Sequence, residues 1–219
     1  MSARLLASFA LISILVSPAY PETSGVASAN TVVVYVNAGG NAGAPTLPVM
    51  RREAEKLMRA AGYRLEWREA KGPRSESVPD LTFLDLTGTC TLPLTPSHIP
   101  ASEDLTFRLA STAVTDGVVL PFSKIDCTAL TALMAPLLQR EAPGQRPFYY
   151  GRAMGRLLAH ELYHVLAQTR DHATEGIGKP CFTALDLISD RFEFESVALA
   201  RFRKPAEASA EFTLPAARR

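Results

Sequence analysis

The stretch FYYGRAMGRLLAHELYHVLAQ, residues 148–168, decides how the second half of the chain folds. Met154, Leu158, Leu162 and Val165 recur at spacings of four, four and three, which places them along one side of an α-helix. The run is too long for a strand, and that apolar side suits burial in a core. The other side carries His160, Glu161 and His164. Upstream, residues 140–147 hold Pro143 and Pro147 and break the pattern. Before the break, Leu130, Leu133, Met134, Leu137 and Leu138 repeat the helical spacing from Asp126 onward. Downstream, a shorter helix is expected over Thr183 to Asp190.

Further from this helix the period changes to two. Thr31 to Val36 is a β-branched run of the kind found in a buried strand. A helix is expected from Val49 to Ala61, after Pro45 and Pro48 and closed by Gly62. Tyr63 to Glu69 alternates apolar and charged residues, and Leu81 to Leu86 is another strand candidate. Leu105–Val114 and Gly117–Phe122 are expected to pair as a hairpin around Asp116-Gly117, a favoured tight-turn pair. The order β-α-β-β-β-β followed by helices predicts an α+β fold: a mixed sheet of about five strands with helices, and a long helix in the C-terminal half.

Composition narrows the function classes. The 219 residues carry 23 Lys+Arg against 22 Asp+Glu, a net charge of +1, and the basic residues are scattered. Such a chain generates no field to hold nucleic acid or an anionic surface. Arg4 precedes a short apolar run from Leu5 to Val16, too short to span a bilayer but suited to a signal-peptide core. Small-residue cleavage sites follow at Ser17-Pro18-Ala19 and Ala27-Ser28-Ala29, and the second adjoins the first strand. The expected organisation is a signal peptide over residues 1–29, one domain over 30–204 and a loose tail over 205–219. The mature protein is then secreted or extracytoplasmic, without stable membrane insertion.

Export changes the reading of the three cysteines. In an oxidising compartment Cys90 and Cys127 are candidate disulfide partners, although three pairings are open. The loop between them would give roughly 3.8 kcal/mol of stability on a chain-entropy estimate. Cys181 is then left over.

Three of the four histidines fall between residues 160 and 172. Two neutral imidazoles one helical turn apart, at His160 and His164, can grip one Zn²⁺, while Glu161 reaches water at the metal. A zinc site needs a third protein ligand. His172 is the nearest candidate, lying past the helix end with Gly176 and Gly178 beyond it. Glu175, Asp186 and Asp190 compete for that place. His98 sits in a proline-rich loop, Thr91 to Pro100, and reads as solvated. The segment Ala38-Gly39-Gly40-Asn41-Ala42-Gly43 follows a strand, but it lacks the first glycine of a dinucleotide fingerprint and reads as a loop.

His160-Glu161-x-x-His164 with a downstream His172 resembles the HExxH zinc metallopeptidases, and the strand and helix order ahead of it is similar to the metzincin clan. The resemblance implies a five-stranded mixed sheet with an edge strand beside the cleft, here within Leu105 to Phe122. It also implies hydrolysis of peptide or protein substrates, with zinc on His160, His164 and His172 and Glu161 as general base. Tyr149 and Tyr150 are candidates for stabilising the oxyanion. The clan places its third histidine six residues after the second, a glycine three after it, and a methionine turn under the metal. Here the third histidine comes at eight, Ala167 stands at the glycine position, and no methionine follows Met154. An exported zinc-binding or structural domain without peptidase activity is the alternative.

Overall fold

Val32, Val34 and Val36 point to one side of the first strand, β1 (Asn30–Asn37), and Val33 and Tyr35 to the other, and all five are buried. A strand covered on both faces belongs in the middle of a sheet. β1 is accordingly flanked in parallel by β2 (Tyr63–Glu69) and β3 (Leu81–Thr87). The structure, a computed structural model, describes residues 30–39, 45–70, 80–90 and 108–202. The expected leader and tail lie outside the described residues, as do residues 91–107 with His98.

β5 (Val118–Asp126) runs parallel to β3, and β4 (Ala110–Thr115) runs antiparallel to β5. The order is β2-β1-β3-β5-β4, so the sheet is mixed and five-stranded and β4 forms an edge. The β4–β5 turn has positive φ at Asp116 (50°) and Gly117 (82°), the requirement of a tight hairpin turn. Beyond the turn the ladder is irregular. Val114 faces Val119, but Thr112 faces Ser123, so Leu120, Pro121 and Phe122 lie opposite Ala113 alone. Pro121 has no N–H to give the ladder, which is why a proline is tolerated at such a bulge. Its carbonyl accepts from the buried Thr82 hydroxyl at 3.2 Å.

The helices cover one face of the sheet. α1 (Thr46–Ala60) connects β1 to β2 and buries Met50, Ala54, Leu57 and Met58. It begins three residues before the expected start, with Pro45 at the N-cap and Pro48 inside the first turn. A proline there removes only an N–H that has no helical partner, so it does not delay the helix. α2 (Cys127–Leu138) is capped by Asp126, whose carboxylate accepts from the Ala129 N–H at 3.0 Å. The long helix is α3 (Arg146–Leu166), and α4 (Ala184–Ile188) and α5 (Ser196–Phe202) follow. α4 is shorter than expected at its C-terminal end, and α5 was not anticipated from the apolar spacing.

α3 lies close against α1. A Cβ on Gly155 would sit 2.7 Å from the Met50 carbonyl and from Glu53 Cβ, and one on Gly151 would sit 2.7 Å from the Thr46 carbonyl. Backbone cannot yield as a side chain can, so Gly155→Ala should lower stability by about 1–3 kcal/mol. A thermal melt checks this; an unchanged midpoint would mean the helices separate freely. Next to Gly155, Arg156 is 1% exposed. Its guanidinium donates to Glu53 at 2.9 Å and to the Asp186 and Ser189 carbonyls at 2.6 Å each, and it stands over the Phe192 ring. One buried cation thus ties α1, α3 and the C-terminal segment together. A disulfide joins Cys90 to Cys127, with Cα atoms 4.8 Å apart, and Cys181 is free and exposed.

Candidate metal centre and cleft

His160, Glu161 and His164 are buried, at 6%, 3% and 9% exposure, while Leu158 and Leu162 fill the core on the other side of α3. Polar groups so placed need partners. His160 Nδ1 lies 2.7 Å from the Ile177 carbonyl, and His164 Nδ1 lies 2.8 Å from the Thr169 carbonyl. A carbonyl only accepts, so each Nδ1 carries the proton and each Nε2 is left with a lone pair. The two Nε2 atoms face each other at 3.1 Å.

The end of α3 directs the chain back toward these rings. Gln168 adopts φ 46°, and the Thr169 N–H bonds to the His164 carbonyl at 3.2 Å, which is a Schellman-type closure. The Gln168 amide donates to the Val165 carbonyl at 2.7 Å and to the Val119 carbonyl of β5 at 3.3 Å. A left-handed residue one place after Ala167 therefore makes the turn that a glycine would make. His172 returns to stack on His160, with ring centroids 5.3 Å apart, and meets His164 edge-on at 4.8 Å. One ligand atom from each of His160, His164 and His172 falls within 4.8 Å of the others. Ile177 is fixed in turn by its N–H bond to the Glu193 carbonyl, and Phe182 packs edge-on against His160.

The competing acids are engaged or remote. Asp186 accepts from Lys179 Nζ at 2.8 Å and from the Thr183 N–H at 2.7 Å in a capping box. Asp190 pairs with Arg152 and is 97% exposed at its side chain, and Glu175 is exposed. Among the described residues, only the three histidines form a cluster able to hold a metal.

Desolvation lowers the pKa of all three imidazoles and so favours their neutral form, even though His172 is exposed. His160 is pushed down to about 3 by desolvation, with His164 and His172 adding to it, against its bond to Ile177. His164 is lowered by burial, with the His172 charge adding and its Thr169 bond opposing. His172 is lowered by burial as well; Asp171 opposes this and Arg201 adds to it. Glu161 is pushed up to about 7 by desolvation, opposed by its bond from Thr112 and by the Arg108 charge. The neutral imidazole is the form in which histidine binds a divalent cation.

A cleft of about 1260 Å³ opens over the cluster, bounded by β4 and β5 on one side and by Thr169–His172 and Pro180–Phe182 on the other. β4 sits at the described edge of the sheet, inside the range expected for such a strand. The tyrosines do not take part. Tyr150 is fully buried, donates to the Cys127 carbonyl and meets the Thr131 hydroxyl, while Tyr149 lies next to it at the far end of α3; neither lines the cleft. Several members of the site had no sequence signal: the Thr169 and Ile177 carbonyls, and Thr112, whose hydroxyl reaches Glu161 from β4. In comparisons with known proteins, no family model, no curated protein and no solved structure matches the chain.

Proposed function

We propose that the chain is an exported zinc metallopeptidase that hydrolyses peptide bonds with Glu161 as general base. The observation that carries the reading is the pair of unprotonated Nε2 atoms 3.1 Å apart, with His172 beside them and a carboxyl adjacent. Two nitrogens bound tetrahedrally to one zinc would stand about 3.3 Å apart, so the spacing of the His160–His164 pair fits that ion. Three imidazoles leave a fourth position open, the arrangement of catalytic rather than structural zinc sites. When bound, zinc supplies a Lewis acid that makes water acidic enough to attack near neutral pH and polarises the carbonyl.

The chain's own residues supply the remaining steps. Thr112 engages Glu161 Oε2, so Oε1 is the oxygen left to take the proton of the attacking water and pass it to the leaving amine. The edge of β4 offers backbone N–H and C=O groups that an extended peptide can pair with. Export is supported by the apolar run Leu5 to Val16 with small residues after it, and by the Cys90–Cys127 bridge, which persists in an oxidising compartment. Among the described residues, no helix is long and apolar enough to cross a membrane.

The test is metal analysis of the purified protein, joined to a peptide hydrolysis assay, on wild type and His172→Ala. One zinc per chain with turnover is the expected result. The variant should bind zinc at least about 100-fold more weakly, since removing even a group that only orients a ligand costs 10–100-fold. Undiminished zinc binding in the variant would move the third ligand to Glu175, Asp186 or Asp190. Zinc without turnover would favour the non-catalytic zinc-binding domain, and no zinc at all would overturn the reading.

A further inference from the structure

A general base is effective only if its carboxylate is held in one orientation, and the structure shows how this one is held. Thr112 Oγ1 lies 2.6 Å from Glu161 Oε2 and 3.0 Å from Ser123 Oγ. An ionised carboxylate only accepts, so the Thr112 proton goes to Glu161. The Thr112 oxygen is then open to accept, and the Ser123 hydroxyl donates to it. Ser123 is 4% exposed and sits directly across from Thr112 in the β4–β5 register. Had the hairpin continued the register of its turn, Thr112 would face Pro121, which has no hydroxyl. The bulge brings the two hydroxyls opposite one another on the face that meets α3.

We propose that Thr112, braced by Ser123, is a positioning residue that fixes the Glu161 carboxylate for catalysis. This rests on Glu161 acting as the base in peptide hydrolysis. Thr112 borders the cleft, but in this role it acts through Glu161. It fixes the rotation of the carboxyl group and leaves Oε1 free of that bond.

The experiment compares wild type, Thr112→Val, Thr112→Ser and Ser123→Ala, each with its zinc content measured. Thr112→Val keeps the shape and removes the hydroxyl. It should lower kcat by roughly tenfold, with KM and zinc content within about twofold of wild type. Thr112→Ser restores the donor and should return kcat to within about threefold of wild type, with Ser123→Ala between the two. A crystal structure of Thr112→Val supplies a readout apart from activity: the fold intact and the Glu161 carboxyl rotated or split between orientations. The proposal is overturned if Thr112→Val retains wild-type kcat, if its loss appears in KM, if Thr112→Ser is as slow as Val, or if the carboxyl stays fixed. An active wild type with any of these outcomes sinks this inference alone. A zinc-loaded wild type without turnover sinks the peptidase reading, and the positioning role with it.

Discussion

Glu161→Gln is expected to lower kcat for peptide hydrolysis by about 10²–10⁴-fold while leaving zinc bound. The glutamine has the volume of the glutamate and can still accept from the Thr112 hydroxyl, so the packing around α3 need not change. The three imidazoles and the carbonyls that orient His160 and His164 are untouched. What the amide lacks is the ability to take a proton from water. Loss of zinc along with activity would mean that the carboxylate holds the metal rather than the proton. Full activity with zinc in place would remove Glu161 from the mechanism. Kinetics and metal content must therefore come from the same sample.

The second large effect concerns stability. Glu53→Ala should destabilise the fold by about 3 kcal/mol, the lower end of the range for breaking a buried ion pair. Arg156 is 1% exposed and the side chain of Glu53 12%, so removing the carboxylate leaves a cation that water cannot reach. Desolvation already lowers the Arg156 pKa, and Glu53 is the largest influence opposing that. The Asp186 and Ser189 carbonyls and the Phe192 ring still face the guanidinium, which keeps the loss at the lower end. In a chain of this size the melting temperature should fall by about 6–12 °C. Adding Arg156→Met removes the stranded charge and should recover part of the loss. If the double variant melts below Glu53→Ala, the arginine contributes more through the carbonyls it binds than the missing carboxylate costs.

The fold and the histidine pair were legible because both depend on short spacings. Along α3 a four-residue step fixes which side chains share a side, so His160 and His164 converge whatever the rest of the chain does. β1 was legible from its valines, and the hairpin from Asp116-Gly117. His172 was a choice among four candidates. What brings it beside the other two is where the chain turns at Gln168, while Asp186 and Asp190 are engaged elsewhere, and neither is written in the local sequence. Thr112 could not be found by extrapolating the hairpin, because the bulge around Pro121 shifts its partner from residue 121 to Ser123. Tyr149 and Tyr150 failed as candidates for a simple reason: ten residues of helix from Tyr150 to His160 span about 15 Å. The orienting carbonyls of Thr169 and Ile177 belong to the backbone, where residue type carries no signal.

The sources of the two halves of the site differ. His160, His164, His172 and both orienting carbonyls all come from residues 160–177, one uninterrupted stretch of chain. The hydroxyl that holds Glu161 comes from a strand 49 positions away, through a register that a small insertion or deletion in one hairpin would undo. The two capacities can thus be inherited separately. On the proposed reading, a diverging gene copy could lose much of its turnover through a shift of register in the β4–β5 hairpin and still encode a protein that takes up the metal, whereas losing the metal first would leave the hairpin nothing to serve.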